Sequence, residues 1–304
     1  MKLGIGIPSY GPYTDAGLIR EVVLRTEACG YHSVWFPDNL FTAPGHLVEL
    51  GSQWHDPYTL CGYAAGITQN VKIGIAVTVL PFRHPAAVAK MASTIDHLSH
   101  GRFILGVGVG NVASEFAALG LDFRQRGAMC DEYLRALKEL WTSALPSFQG
   151  KYVQFSGLTL DPKPVQRPHP PIWVGGNSAA ALRRTAVLCD GWHPVGLTPG
   201  EMMQRIVELR NAAAATGRTA PIIISCQGPW VRIAGVPSGQ EPETKGGKRV
   251  PLNGSPQEII QDLVDYAHAG VEHLVLRFSR VPDGAGFLNA FEYFHKHVRP
   301  FLPF

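Results

Sequence analysis

Short apolar, β-branched runs alternate with amphipathic stretches along this chain, and that alternation restricts its fold more than any other feature. The apolar runs at Lys2–Ile7, His32–Phe36, Val71–Val77, Arg102–Val107, Ile172–Gly175, Gly191–Pro194, Ile222–Ile233 and His273–Phe278 read as strands. Between and after them, Ala16–Ala28, Pro57–Thr68, Ala86–Leu98, Gly127–Thr142, Ser178–Leu188, Pro199–Ala215, Pro256–Ala269 and Phe287–Val298 read as helices. The first helix shows the spacing plainly, in Leu18, Ile19, Val22 and Val23. Local punctuation agrees: Asp56 before Pro57 and Ser255 before Pro256 are cap residues, and Gly30 fits the position just past a helix end. Strands that alternate with helices are joined by right-handed crossovers into a parallel sheet. Eight such units in 304 residues fit a (β/α)8 TIM barrel of the α/β class, one domain over residues 1–304. A doubly wound open sheet is the rival, because the same alternation builds both.

The composition narrows the function. A hydrophobic share of 45% with 17% charged residues fits a globular protein with a sizeable core. The net charge of +3 supplies no basic stripe, so nucleic acid is not an expected partner. Cys29, Cys61, Cys130, Cys189 and Cys226 are scattered and never form CxxC, which points to reduced thiols in a cytoplasm. MKLGIGIPSYG has too brief an apolar run before Pro8 for a signal peptide. No run approaches the roughly 20 apolar residues of a membrane helix. HExxH and G-x-S-x-G are both absent, so neither a zinc site nor a hydrolase elbow is expected.

Three stretches interrupt the pattern. Leu40–His55 is a long loop after the second strand. Lys151–Pro168 (KYVQFSGLTLDPKPVQRP) reads as a small hairpin plus a proline-rich connector. Val236–Gly254 (VPSGQEPETKGGKRVPLNG) is polar and glycine-rich and reads as mobile. Connections longer than about 12–15 residues are uncommon and often functional. Loops that follow barrel strands lie on the catalytic face, so the first and third are expected as rim or lid insertions. Plain surface insertions are the other reading.

Several motifs fall at strand ends. ILGVGVGN (Ile104–Asn111) fails the dinucleotide pattern, since Asn111 stands where the third glycine belongs and no helix starts at once. Its bare strand end lets a flat ligand lie on the main chain, or its glycines fit a crowded barrel top. In PPIWVGGNSAAALRR (Pro170–Arg184) a strand ends at Gly175–Gly176 and Asn177 or Ser178 caps a helix. Exposed amides there form an anion cradle suited to phosphate, or an ordinary capped turn. VWFPDNLF ends in Asp38 and Asn39, which can hold a polar ring edge, relay a proton, or form an Asx-turn. His193 in DGWHP is a candidate catalytic group or a packed histidine. Arg277 can clamp an acidic group or pair with a carboxylate across the barrel top. Trp54, Trp230 and Tyr10 line a partly apolar substrate pocket or pack the core. GIAVTVLPFRHP is a strand cut short by Pro81, with Arg83 and His84 just beyond.

The run VTVLPFRHPAAVAKMASTIDHLSHGRFILGVGVGNVASEFAALGLDFRQRGAMCDEYLRALKELW, with GLTLDPKPVQRPHPPIWVGGNSAAALRRTA and DGWHP, resembles bacterial luciferase-like monooxygenases. It is most similar to the branch that uses the deazaflavin coenzyme F420, and the likeness runs from Lys2 to Val298. The resemblance implies a barrel with the cofactor ring at the C-terminal ends of its strands. It implies a non-proline cis peptide at Ala76–Val77, forming a bulge behind that ring, with Ala76, Val77 and Thr78 lining it. Pro81–Arg83 then turn the chain into the next helix, with His84 in the cap region and Pro85 at its first position. Gly108, Val109, Gly110 and Asn111 would meet the ring or its ribityl chain, and Gly175, Gly176, Asn177 and Ser178 the phosphate. Asp38 and Asn39 occupy a position near the ring where relatives often carry Asp-His. The amide is a departure, because it cannot donate the proton that a histidine could.

The resemblance implies hydride transfer between F420 and a small organic substrate, at a C=C, C=N or C=O bond or an alcohol. FMN in the same cradle would instead make a monooxygenase that inserts oxygen. A flavin-binding protein without turnover is the third reading, with Asn39 its support. A homodimer follows by family analogy alone.

Overall fold

The computed structural model describes residues 1–42, 51–236, 242–278 and 283–304. Eight parallel strands close into a barrel in chain order. They are β1 (Lys2–Gly6), β2 (Ser33–Phe36), β3 (Lys72–Val79), β4 (Phe103–Gly108), β5 (Ile172–Val174), β6 (Gly191–Trp192), β7 (Ile223–Trp230) and β8 (His273–Arg277). β1 pairs with both β2 and β8, which leaves no edge and rules out the open sheet. Around the barrel lie α1 (Ala16–Ala28), α2 (Pro57–Ile67), α3 (Pro85–Leu98), α4 (Arg126–Thr142), α5 (Ala179–Leu188), α6 (Pro199–Ala215), α7 (Pro256–His268) and α8 (Gly284–His297).

The expected caps are in place. Asp56 accepts from the Thr59 amide, His84 from Ala86, and Ser255 forms a capping box with Glu258. Gly30 follows α1 with φ +68°, a conformation that only glycine adopts freely. None of the helices among the described residues is long and apolar enough to cross a membrane. All five cysteines are free.

The barrel is filled unevenly. Trp35 of β2 and Trp173 of β5 stack inside it, 5.2 Å apart. A Cβ at Gly74 would come within 2.4 Å of the Trp35 ring, so β3 carries glycine where the indole passes. At the lower end, where strands begin, buried Arg102 donates five hydrogen bonds, to Ser99 O, Thr68 Oγ1, Val71 O, Ala65 O and Thr68 O. Glu27 beside it accepts from the amides of Gln69, Asn70 and Val71. Burial opposes the Glu27 charge, but these amides outweigh it and hold its pKa below the usual value.

Four expectations need correction. The run Ile222–Ile233 is not one strand: β7 ends at Trp230, and Arg232–Ile233 pairs instead with Asn253–Gly254. Its register against β8 shifts between Val275 and Arg277, which turns the chain out of the barrel. The hairpin placed within Lys151–Pro168 starts earlier, pairing Phe148–Gln149 with Gln154–Phe155. Glu132 sets its turn by accepting the amides of Lys151, Tyr152 and Val153. The last helix opens at Gly284, where Asp283 accepts from the Gly286 amide. The described part of Val236–Gly254 is anchored: Arg249 makes a two-pronged ion pair with Asp262, and Asn253 is buried. Residues 43–50 and 237–241 of the two expected lid loops lie outside the described residues.

Candidate functional site

The upper end of the barrel, where strands finish, collects the residues singled out in the sequence. The Ala76–Val77 peptide is cis, as the family resemblance implied. The β3–β4 register breaks at the same place, between Ile75 and Thr78, so a bulge occupies the strand end. The bulge explains the glycines of ILGVGVGN. A Cβ at Gly106 would lie 1.9 Å from the Ile75 carbonyl oxygen. A Cβ at Gly108 would lie 2.7 Å, and one at Gly175 3.1 Å, from Val77 methyl groups. These three glycines therefore make room for the displaced strand and for Val77. The half-buried Ala76 and Val77, rather than bare β4 main chain, present the apolar surface there. Val109 and Gly110 are half-buried and Asn111 is exposed just past β4. Thr78 is buried and hydrogen-bonds through Oγ1 to the Tyr58 hydroxyl at 2.9 Å.

Asp38 and Arg83 answer why β3 ends as it does. Both Asp38 oxygens receive Arg83, at 2.6 and 2.9 Å, and Oδ2 also accepts the Val79 amide at 3.0 Å. The Asp38 side chain is only 1% exposed. Burial opposes the Arg83 charge, yet the bonds and charge of Asp38 raise its pKa on balance. The pair ties the end of β2 to the segment after β3. Asp38 is a positioning group here, with its oxygens already occupied. Asn39 follows, half-buried.

A cavity of about 200 Å³ opens at this end, and Ala76, Trp54, Trp230 and Arg277 all line it. Tyr10 and Trp54 stack at 4.4 Å and form one wall. The Arg277 guanidinium lies 4.3 Å over Trp230 and donates through Nε to the Gly228 carbonyl. Trp35, Gly6, Ile7, Pro37 and Gln227 also line the cavity and were not singled out from the sequence. The available signal was strand alternation: Trp35 shares a face with Ser33, and Gln227 with Ser225. A larger cavity, about 850 Å³, lies at the lower end against Lys2, Tyr31, His32 and Arg299. Barrel chemistry is built from the loops after strands, so the upper cavity is the candidate site.

Beside it, β5 runs through Gly175–Gly176 into α5. Ser178 is the cap, accepting from the Ala181 amide, and Gly176 takes φ +97°. Trp192 Nε1 holds the Gly176 carbonyl at 3.0 Å. Asn177 donates to the Val195 carbonyl at 3.2 Å, while its Oδ1 is buried without a partner among the described residues. This end of α5 presents the first backbone amides of the helix, donors of the kind a phosphate takes, whereas the unused Asn177 Oδ1 is an acceptor and suits a ligand hydroxyl or N–H.

His193 sits past β6, 2% exposed, stacked on Trp35 at 4.8 Å. Its Nδ1 bonds to Ser225 Oγ at 2.8 Å and its Nε2 has no partner among the described residues. Burial, with Arg277 nearby, pushes its pKa down to about 3. It is a neutral imidazole at physiological pH and not an acid of the imidazolium type.

The description "luciferase-like monooxygenase" belongs to a family model that matches residues 4–231. An FMNH2-dependent dimethylsulfone monooxygenase of Pseudomonas putida is 28% identical over 295 residues, covering 82% of this chain and 78% of that one. The solved monooxygenase RslO1 from Streptomyces bottropensis superposes with a TM-score of 0.80 at 24% identity, over 99% of both chains. An F420-dependent secondary alcohol dehydrogenase, solved with an F420–acetone adduct, gives 0.79 at 20% identity over 98% of both chains. At these identities the two solved structures speak for the fold.

Proposed function

This chain belongs to the luciferase-like monooxygenase family, and we propose that it is an oxidoreductase using a phosphorylated flavin-type ring, with coenzyme F420 as hydride carrier. The observation that carries this reading is the meeting, at one barrel end, of the Ala76–Val77 bulge, the aromatic cavity and the N-terminus of α5 after Gly175–Gly176. When bound, the ring would supply a hydride to a small unsaturated or carbonyl substrate. Ala76 and Val77 would back the ring, and Gly176, Asn177 and Ser178 would hold the phosphate. Trp54, Trp230 and Tyr10 would exclude water and align donor with acceptor, the main task of the protein in such chemistry. Asp38 would keep the bulge in place through Arg83 and Val79 rather than move a proton. Reduced FMN with molecular oxygen is the second reading, favoured by the dimethylsulfone monooxygenase relative.

Titration of the purified protein with F420 and with FMN, reduced and oxidised, separates the two. Tighter binding of FMN would replace the first reading with the second, and binding of neither would remove both. Ser178→Asp tests the cradle. Aspartate caps a helix as well as serine, so α5 survives while a carboxylate faces the phosphate. A loss of at least tenfold in affinity is expected, and wild-type affinity would count against the cradle.

A further inference from the structure

Below the cavity an unbroken line of polar side chains climbs through the otherwise apolar barrel. Trp35 Nε1 donates to Ser33 Oγ at 2.7 Å. Ser33 Oγ lies 2.7 Å from His273 Nε2, and His273 Nδ1 lies 3.0 Å from Ser225 Oγ. Ser225 Oγ lies 2.8 Å from His193 Nδ1, where the line ends. Ser33, Ser225, His193 and His273 are all buried.

One fixed point favours a single direction for the whole line. An indole N–H only donates, so Ser33 is an acceptor toward Trp35. The Ser33 oxygen has room for a second donor, but accepting from His273 as well would strand its own hydrogen; giving that hydrogen to His273 Nε2 pairs every hydroxyl hydrogen in the line. His273 is neutral: burial, then the nearby His193, His32 and Lys2, hold its pKa far below the usual value. Its single hydrogen is therefore on Nδ1 and points to Ser225. Ser225 in turn donates to His193 Nδ1. The hydrogen of neutral His193 is left on Nε2, the atom without an acceptor among the described residues.

We propose that Trp35, Ser33, His273 and Ser225 form a one-way relay that locks His193 as an Nε2–H donor for an acceptor oxygen or nitrogen of the bound ligand. The proposal deepens the reading above and rests on it for the recipient: carbonyl groups of a flavin-type ring, or of a substrate, are acceptors of this class. His193 does not itself line the cavity; it stacks on Trp35, whose indole does, so the donor lies one ring behind the cavity wall. A buried N–H without an acceptor is unfavourable, and a ligand acceptor relieves it. His193 then polarises rather than protonates. The other four side chains are positioning residues.

Two-bond ¹⁵N–¹H spectra of the ligand-free protein test the relay, with the His193 signals assigned by their loss in His193→Gln. The expected result is an Nε2–H tautomer for His193 and an Nδ1–H tautomer for His273, unchanged from pH 5 to 8. The opposite tautomer at His193, or its titration in that range, overturns the relay. Ser225→Ala is expected to leave His193 a mixture of tautomers; an unchanged single tautomer overturns it too. Should that variant not fold, the wild-type spectra still decide. Adding F420 or FMN, whichever binds, is expected to shift the His193 Nε2–H resonance. Binding with no shift removes the ligand role. Failure of both to bind removes the cofactor reading and the recipient with it, while the relay is judged on the ligand-free spectra.

Discussion

Around Arg102, at the lower end of the barrel, five guanidinium bonds reach five acceptors. At the upper end, the same fold leaves His193 Nε2 and Asn177 Oδ1 without partners among the described residues. Both regions are buried and polar, and they differ in completeness. A saturated group holds the chain together, whereas an unsaturated one lowers stability until something supplies its partner. The division is not absolute, since the Tyr31 hydroxyl at the lower end also lacks a partner among the described residues. Arg102→Met should disrupt the lower end most. Hydrogen bonds to a charged group contribute about 1.5–3 kcal/mol each, and the change orphans the Ala65, Thr68, Val71 and Ser99 carbonyls together. We expect at least about 4 kcal/mol lost in chemical denaturation. A loss under about 1 kcal/mol would mean that these bonds do not set stability.

The second test concerns pH. His193 and His273 have pKa values depressed by burial, His193 to about 3. The unfolded chain protonates both near pH 6.5, and the folded one does not. Stability is therefore complete above about pH 6.5 and declines as the pH falls toward the folded values. Each histidine contributes a slope of at most about 1.4 kcal/mol per pH unit. Between pH 6.5 and 5.5 the pair should remove at most about 2.7 kcal/mol, read from urea midpoints at each pH. A flat profile over that interval would show that these two barrel histidines are solvated.

Sequence reading reached the frame and much of the rim, because both are local signals. Strand and helix periods, the caps at Asp56, His84 and Ser255, and the turn at Gly175–Gly176 each depend on neighbours within a few residues. What it missed depends on contacts across the barrel. Asp38 invited a catalytic role because nothing in VWFPDNLF shows that Arg83, 45 residues on, occupies both its oxygens. The glycines of β4 suggested an open platform because Val77 and Ile75 belong to the adjacent strand. Ser33, Ser225 and His273 stood in plain view as polar residues alternating with apolar ones in β2, β7 and β8. Their convergence required the register, which pairs His273 with Ser225 directly.

The smallest expected effect is the most informative for the comparison. His193→Phe keeps a flat ring against Trp35 and removes both ring nitrogens. It deprives the Ser225 hydroxyl of an acceptor, which is unfavourable by about 1–3 kcal/mol, but it also removes an unpartnered Nε2–H of similar penalty. These nearly cancel, so stability at pH 7 should change by under about 1 kcal/mol, far less than for Arg102→Met. One titrating group also disappears, so the acid slope should fall by up to about 1.4 kcal/mol per pH unit. Thermal or urea unfolding at pH 7 and 5.5 gives both numbers. A loss at pH 7 comparable with that of Arg102→Met would mean that Nε2 has a partner within the protein, and the upper end would be as complete as the lower.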